Sequence, residues 1–295
     1  MATHPVSPLA PAGLPALPAI AGLRFAAGCT GMRYKGRDDL MVAALDAGST
    51  IAAVTTRNTM CSAPVEWCRV QARHGRARAI DPGGAERALR AIMTTDTFPK
   101  AAVRKARIGR TEVTIMGFCK GSGMIAPDMA TMLGYVFTDA RLPAPVLRAL
   151  LREGTDASFN CMSVDGDTST SDTVLLAATG KAAHAPVRSA AAPALRDFRS
   201  KLRDLLVELA QLVAKDGEGA QKFVTVKVSG ARTDASAPMR SSVAASARWR
   251  WRSPTRRWSR PRSPRATPTG AAWSWRSASP ASPRTATAPA CASAA

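Results

Sequence analysis

The chain has 295 residues, 41 of them Lys or Arg against 21 Asp or Glu, for a formal net charge of +20, with 46% hydrophobic and only 5% aromatic residues. That length allows one large domain or two ordinary ones, with ample material for a core. Such a charge points toward a polyanion, but eleven Arg and no Asp, Glu or Lys lie from Ser236 onward, so residues 1–235 carry only +9 and the body is mildly basic.

Cysteines 29, 61, 68, 119, 161 and 291 fall at scattered spacings without a CxxC or a Cys/His cluster. This argues against a zinc site and a dense disulfide framework, and makes a reducing, cytoplasmic compartment the expectation. No apolar run reaches the roughly 18 residues that span a bilayer, so no membrane partner is expected. The first 22 residues contain no Lys or Arg and are broken by Pro5, Pro8, Pro11, Pro15 and Pro18. A signal peptide needs a basic start and an unbroken apolar stretch, so residues 1–22 read as a loose, flexible arm.

From residue 23 to 80, short apolar stretches alternate with turn residues. In MVAALDAGSTIAAVTTRN, Asp46, Gly48 and Ser49 separate two candidate strands, which reads as α/β or α+β. Residues 86–93 suggest a short helix after the Asp81-Pro82-Gly83-Gly84 turn. Glu112 to Phe118 and Phe159 to Val164 have the β-branched and aromatic content of strands, and Thr173 to Ala178 resembles a buried one. The plainest helix covers 194–215, where Leu195, Phe198, Leu202, Leu205, Leu209 and Leu212 form a single apolar stripe and Gly217 ends it. An amphipathic strand, FVTVKVS at 223–229, follows.

The segment Lys120 to Ala140, KGSGMIAPDMATMLGYVFTDA, places Thr131 in Met-Ala-Thr-Met-Leu, which periodicity alone assigns to a helix. A buried helical Thr ordinarily bonds a carbonyl one turn back. Lys120-Gly-Ser-Gly lacks the spacing of a P-loop and a Lys after its second Gly. Asp165, Asp167 and Asp172 lack the Gly and terminal Glu spacing of a calcium loop, and a turn rich in polar caps is the preferred reading.

This segment resembles the self-cleavage site of the ornithine acetyltransferase family, the bifunctional glutamate N-acetyltransferase/amino-acid acetyltransferase of arginine biosynthesis. AAGCTGMRYKGRDDL (26–40), TTRNTMCSAPVEWC (55–68), AIMTTDTFPKAAV (91–103), SFNCMSVDGDTSTSDTVLLAATG (158–180) and DGEGAQKFVTVKVSGA (216–231) agree with the family in the same order, over about 23–235. The resemblance implies a layered α/β (α+β) fold with a Thr nucleophile and self-cleavage between Ala130 and Thr131. The α chain would then span 23–130 after the arm and the β-chain core 131–235.

A Thr hydroxyl is a weak nucleophile without an adjacent base. In this family the α-amino group freed at Thr131, with an ordinary pKa of about 7.7–8.0, serves as that base. Acetyl passes from N-acetylornithine, or acetyl-CoA, to Thr131 and then to glutamate, with ornithine released and no cofactor or metal required. The implied substrate contacts are Thr94, Lys120, Thr131 and Glu218, and the α and β chains would assemble as a heterotetramer. Lys120 offers a cation for an α-carboxylate, and Glu218 an anion for an amino group.

Two features depart from the family. IDPGGAERALR, between Ala79 and Ala91, stands where the family carries a longer stretch with a Ser-Thr-Gly-Val-Ile-Gly loop that forms the oxyanion hole. No oxyanion residue is therefore assigned, and impaired activity is expected.

From Ser236 to Ala295 the chain is mostly Arg, Ser, Ala, Pro and Thr, with five of its six Trp. Three readings stand: a disordered basic tail, an arm that stacks and neutralises RNA, and a frameshifted translation of the family's own C-terminus. With GC-rich codons, Thr267 to Arg276 shifted by two bases reads Ala-Asn-Trp-Gly-Arg-Val-Val-Met-Ala, as in the family. The competing functions are a basic nucleic-acid-binding protein using this tail and a hydrolase sharing the fold and its Thr nucleophile.

Overall fold

The computed structural model describes residues 5–58, 60–71, 84–123, 132–164, 169–228, 242–245 and 286–288. Its centre is a five-stranded sheet in the order β3-β7-β6-β5-β4. These strands are β3 (Thr50–Thr55), β4 (Lys100–Ile108), β5 (Thr111–Lys120), β6 (Leu133–Thr138) and β7 (Thr173–Ala178). All neighbours are antiparallel except β6 and β7, whose parallel pairing requires a crossover. Helix α3 (Ala144–Asp156) and a short 3-10 helix at Phe159–Cys161 lie in that crossover.

The pleat of β5 separates two cores. Val113, Ile115 and Cys119 face α3 and α4 (Arg196–Lys215), whereas Met116 and Phe118 face the other side. On the first side, Phe198, Leu202, Leu205, Leu206, Leu209 and Val213 are all buried. Full burial of such a side chain stabilises by about 1.5–3 kcal/mol, which is what keeps a charged 20-residue helix on the sheet. Gly117 sets their spacing: a Cβ there would stand 2.9 Å from both Leu205 Cδ2 and Leu209 Cδ1.

On the second side, β1 (Leu23–Gly28) and β2 (Leu40–Leu45) form an antiparallel ribbon. Together with α2 (Ala85–Ile92) it covers a cluster in which Phe25 meets Phe118 and Phe137 at ring-centroid distances of 5.6 and 5.1 Å. Helix α1 (Ala63–Gln71) buries Val65 and leaves Trp67 exposed.

Most expected elements are present: both strands of 40–55, the helix near 86–93, β5, β7, α4 and, as β8 (Lys222–Val228), the amphipathic strand. Three expectations change. Phe159 to Val164 is not a strand but opens in the 3-10 helix, with Phe159 buried. Met132 and Leu133 lead into β6 rather than a helix, because Leu133 pairs with both Lys120 and Thr173 and sheet pairing overrides local propensity.

The N-terminal arm is extended, as five prolines require, but docked in its described part. Ile20 is buried, Leu14 and Leu17 pack on the second core, and the Ser7 hydroxyl donates to Lys215 O at 2.6 Å. Within the stretch expected to be disordered, β9 (Ser242–Ala245) pairs antiparallel and β10 (Ala286–Ala288) parallel with β8. The rest of 229–295 lies outside the described residues.

Candidate functional site

Register brings the chemistry to one end of the sheet. Lys120 closes β5 opposite Leu133, and Leu133 is opposite Thr173, so Lys120, Met132 and Asp172 end three adjacent strands. The segment between α2 and β4 adds Thr94, Asp96 and Thr97, and the turn after α4 adds Asp216 and Glu218.

Two expected contacts meet directly: Lys120 Nζ stands 3.4 Å from Thr94 Oγ1. Glu218 is exposed and joins them through the backbone, its N–H donating to Ser122 O at 2.8 Å. Its carboxylate lies against Gly123, where a Cβ would be 2.8 Å from Glu218 Oε1, so the glycine leaves room for it. Ala130 and Thr131 lie outside the described residues, as do Asp165 and Asp167. Thr131 is covalently joined to Met132, whose N–H donates to Asp172 Oδ1 at 2.8 Å.

Four residues that the sequence reading does not assign to the site organise this end. Lys100 is fully buried, its ammonium 2.5 Å from Asp96 Oδ1 and 2.6 Å from Asp216 Oδ2. Asp96 also accepts N–H bonds from Gly121 (2.7 Å) and Thr94 (3.0 Å), and Asp216 accepts the N–H and hydroxyl of Thr97. Burial opposes ionisation of Asp96, but the adjacent Lys100 ammonium and these N–H donors outweigh it and hold its carboxyl below the usual range.

Asp172 is the fourth. Burial is the main influence on it and raises its carboxyl to about 7, with the Met132 N–H and the Lys120 charge opposing. Its Oδ2 is buried without a partner among the described residues. Burial also lowers the Lys120 ammonium from its ordinary value. A group ionising near neutrality beside Met132 is suited to exchange protons there.

The loop ahead of β2 overlies Thr94: Tyr34 Oη is 3.5 Å from Thr94 O, and Arg37 donates to Met93 O at 2.6 Å. Asp39 accepts the N–H groups of Thr30, Arg33 and Tyr34, which hold its carboxyl far below the usual range. No cluster of three His, Cys, Asp or Glu among the described residues could hold a metal. A cavity of about 500 Å³ lined by Thr50, Arg141, Pro143, Val146 and Arg188 sits at the opposite end of the sheet. No helix among the described residues is long and apolar enough to cross a membrane.

Comparison with known proteins gives the kinship of this arrangement. A model of the ArgJ family matches residues 79–249. The arginine biosynthesis bifunctional protein ArgJ of Bradyrhizobium diazoefficiens is 40% identical over 300 residues, covering 79% of this chain and 73% of that protein. The Gluconobacter oxydans protein of the same name is 41% identical over 298 residues, covering 79% and 70%. Because 300 aligned residues take in only 79% of this chain, the relative has several tens of residues within the aligned span that have no counterpart here.

A crystal structure of the Bacillus halodurans arginine biosynthesis bifunctional protein argJ superposes with a TM-score of 0.34 and 38% identity, over 35% of this chain and 48% of that one. The sequence matches select the acetyltransferase expectation over the nucleic-acid one, and the chain belongs to the ArgJ family, the acetyltransferases of arginine biosynthesis.

Proposed function

We propose that this chain cleaves itself between Ala130 and Thr131 and carries acetyl on Thr131 from N-acetylornithine to glutamate. The observation that carries this reading is the meeting of Lys120 with Thr94 at the end of the sheet where the chain leads out of Thr131. The Thr131 hydroxyl attacks the Ala130 carbonyl and the C–N bond breaks as the hydroxyl proton passes to the departing nitrogen, which frees the Thr131 amine. Water then hydrolyses the ester to the Ala130 carboxylate and a free Thr131 hydroxyl, with the amine as the base for turnover. Lys120 pairs the substrate α-carboxylate, Thr94 offers its hydroxyl to the same group, and Glu218 receives an ammonium. Acetyl-CoA serves as a second donor, the two fragments assemble as a heterotetramer, and the enzyme works in the cytoplasm.

The stretch missing near 79–91 takes the oxyanion donors with it. Loss of even one such donor costs on the order of a hundredfold in rate, so transfer proceeds at least about a hundredfold below an intact relative. Denaturing electrophoresis tests the first step: two fragments from wild type and one intact chain from Thr131→Ala. Release of ornithine from N-acetylornithine, dependent on glutamate, tests the second. Release of free acetate without acetylglutamate identifies a hydrolase instead, and normal turnover places the oxyanion donors elsewhere.

A further inference from the structure

Thr94, Lys120 and Glu218 come from three separate segments, two of them irregular, and few of their own contacts fix them. Behind them lies a fully buried ionic group: Lys100 with Asp96 on one side and Asp216 on the other. Burying three charges is costly unless each is paired and hydrogen-bonded, and here the additional bonds all run to the site segments. Asp96 takes the N–H of Thr94 and of Gly121, the residue after Lys120. The Asp216 carbonyl takes the Ser122 hydroxyl at 2.7 Å, and the Ser122 carbonyl takes the Glu218 N–H.

We propose that Asp96, bridged through Lys100 to Asp216, is the positioning residue that holds Thr94, Lys120 and Glu218 in register for a zwitterionic amino-acid substrate. The proposal rests on the reading of those three residues as substrate contacts. Charge gives the group a second role. Lys120 is faced by Asp96 and Asp172, which favour its cation, and by Lys100 and Arg33, which oppose it. After burial, Asp96 is the largest of these influences, and it opposes the lowering that burial imposes, which favours the Lys120 cation for a substrate carboxylate. In Asp96→Asn one N–H or ammonium donor faces an amide NH2 and the Asp96 charge that favours the Lys120 cation disappears. Lys120 then loses its proton at lower pH, and binding is lost there with it.

The test compares the full chain with Asp96→Asn, Thr97→Ala and Asp139→Asn. Asp139 accepts the Thr114 N–H at 2.8 Å and lies past the far end of β6, so it controls for loss of a half-buried, hydrogen-bonded carboxylate as such. Hydrogen exchange requires no ligand. Asp96→Asn accelerates exchange at Thr94, Gly121 and Glu218 together, by about tenfold or more, and leaves β6 and α3 protected. Acceleration confined to Thr94, or equal in Asp139→Asn, overturns the proposal.

Calorimetric titration with N-acetylornithine supplies the second measurement. Asp96→Asn weakens binding by about tenfold or more and moves the alkaline limit of binding to lower pH, whereas Asp139→Asn changes neither. Thr97→Ala, which keeps both ion pairs, accelerates exchange at 216–219 and weakens binding less. If Asp96→Asn does not fold, unchanged exchange and binding in Thr97→Ala overturns the proposal. Coupled exchange without binding by wild type overturns the substrate reading of the three contacts and leaves their mechanical coupling in place.

Discussion

The two ends of the central sheet are built in opposite ways. At the end where β5 meets the start of β6, charge is buried: the side chains of Lys100, Asp96 and Asp216, and Asp172 beside them, are inaccessible, each tied to a neighbouring segment. At the other end an open cavity of about 500 Å³ is lined by Pro143, Pro145, Val146 and two exposed arginines, Arg141 and Arg188. An open cavity marks the second end and buried charge the first. Buried charge is expensive and persists only where something uses or repays it, so it is the better guide to function here.

The largest expected effect lies at the charged end. On the proposed reading, Thr131→Ala removes the hydroxyl that attacks the Ala130 carbonyl and carries acetyl. Electrophoresis should show one chain, and transfer should fall to background. Thr131→Ser keeps a hydroxyl and should retain more of both. Cleavage in Thr131→Ala would move the nucleophile to another residue.

Lys100→Met comes next. Removing one partner of a buried ion pair leaves uncompensated charge, a loss of about 3–5 kcal/mol. The urea midpoint should drop accordingly, while Arg104→Met, whose partner Glu208 is partly exposed at 2.5 Å, should cost about 1 kcal/mol or less. Equal losses at the two positions would mean that the burial of Lys100 carries no special cost.

A pH titration distinguishes Asp172 from Asp96 within the same end. The Asp172 carboxyl is raised to about 7 in the fold from an ordinary 3.8, so the native state holds a proton that the unfolded chain has released. Its contribution is therefore fully present below about pH 4 and is lost as pH rises to about 7, at about 1.4 kcal/mol per unit of displacement. Asp96 is lowered, so its contribution is present above its ordinary value and is lost as pH falls below it. Urea midpoints of wild type should fall between pH 5 and 7. Those of Asp172→Asn should fall less, and an unchanged slope would show that Asp172 ionises normally.

Elements with a single strong period were legible in the sequence. α4 announces itself through Leu202, Leu205, Leu209 and Leu212, and β7 through its apolar run. β6 was not legible, because Met-Ala-Thr-Met-Leu consists mostly of good helix formers and only pairing with β5 and β7 makes it extended. β4 was masked by its charges: Arg104 and Lys105 obscure the inward Ala102, Ala106 and Ile108. α3 carried a readable signal in Val146, Leu147, Leu150 and Leu151.

At the candidate site, the motifs around Thr94, Lys120 and Glu218 point to the proposed contacts but not to what holds them. Asp96 and Lys100 stand four apart in TTDTFPK, a spacing that does not tell a buried pair from an exposed one. Only the fold brings Asp216, 116 residues away in sequence, to within 2.6 Å of Lys100 Nζ. Asp172 looked like a turn cap, and what raises its carboxyl is burial, which no spacing records.

The smallest effect is expected at the open end, and it is the sharpest check on the comparison. Arg141 and Arg188 are exposed, and neither has an ion-pair partner among the described residues. The backbone N–H of Arg141 donates to His184 Nε2 at 2.8 Å, a bond that truncating its side chain leaves intact. Arg141→Ala and Arg188→Ala should therefore change stability by no more than about 0.5 kcal/mol. They should also leave N-acetylornithine binding within about twofold of wild type, because screened surface charge acts only weakly beyond about 8–10 Å. A tenfold loss of binding in either variant, with an unchanged urea midpoint, would give the cavity a substrate role, and buried charge would then mark a scaffold rather than the site.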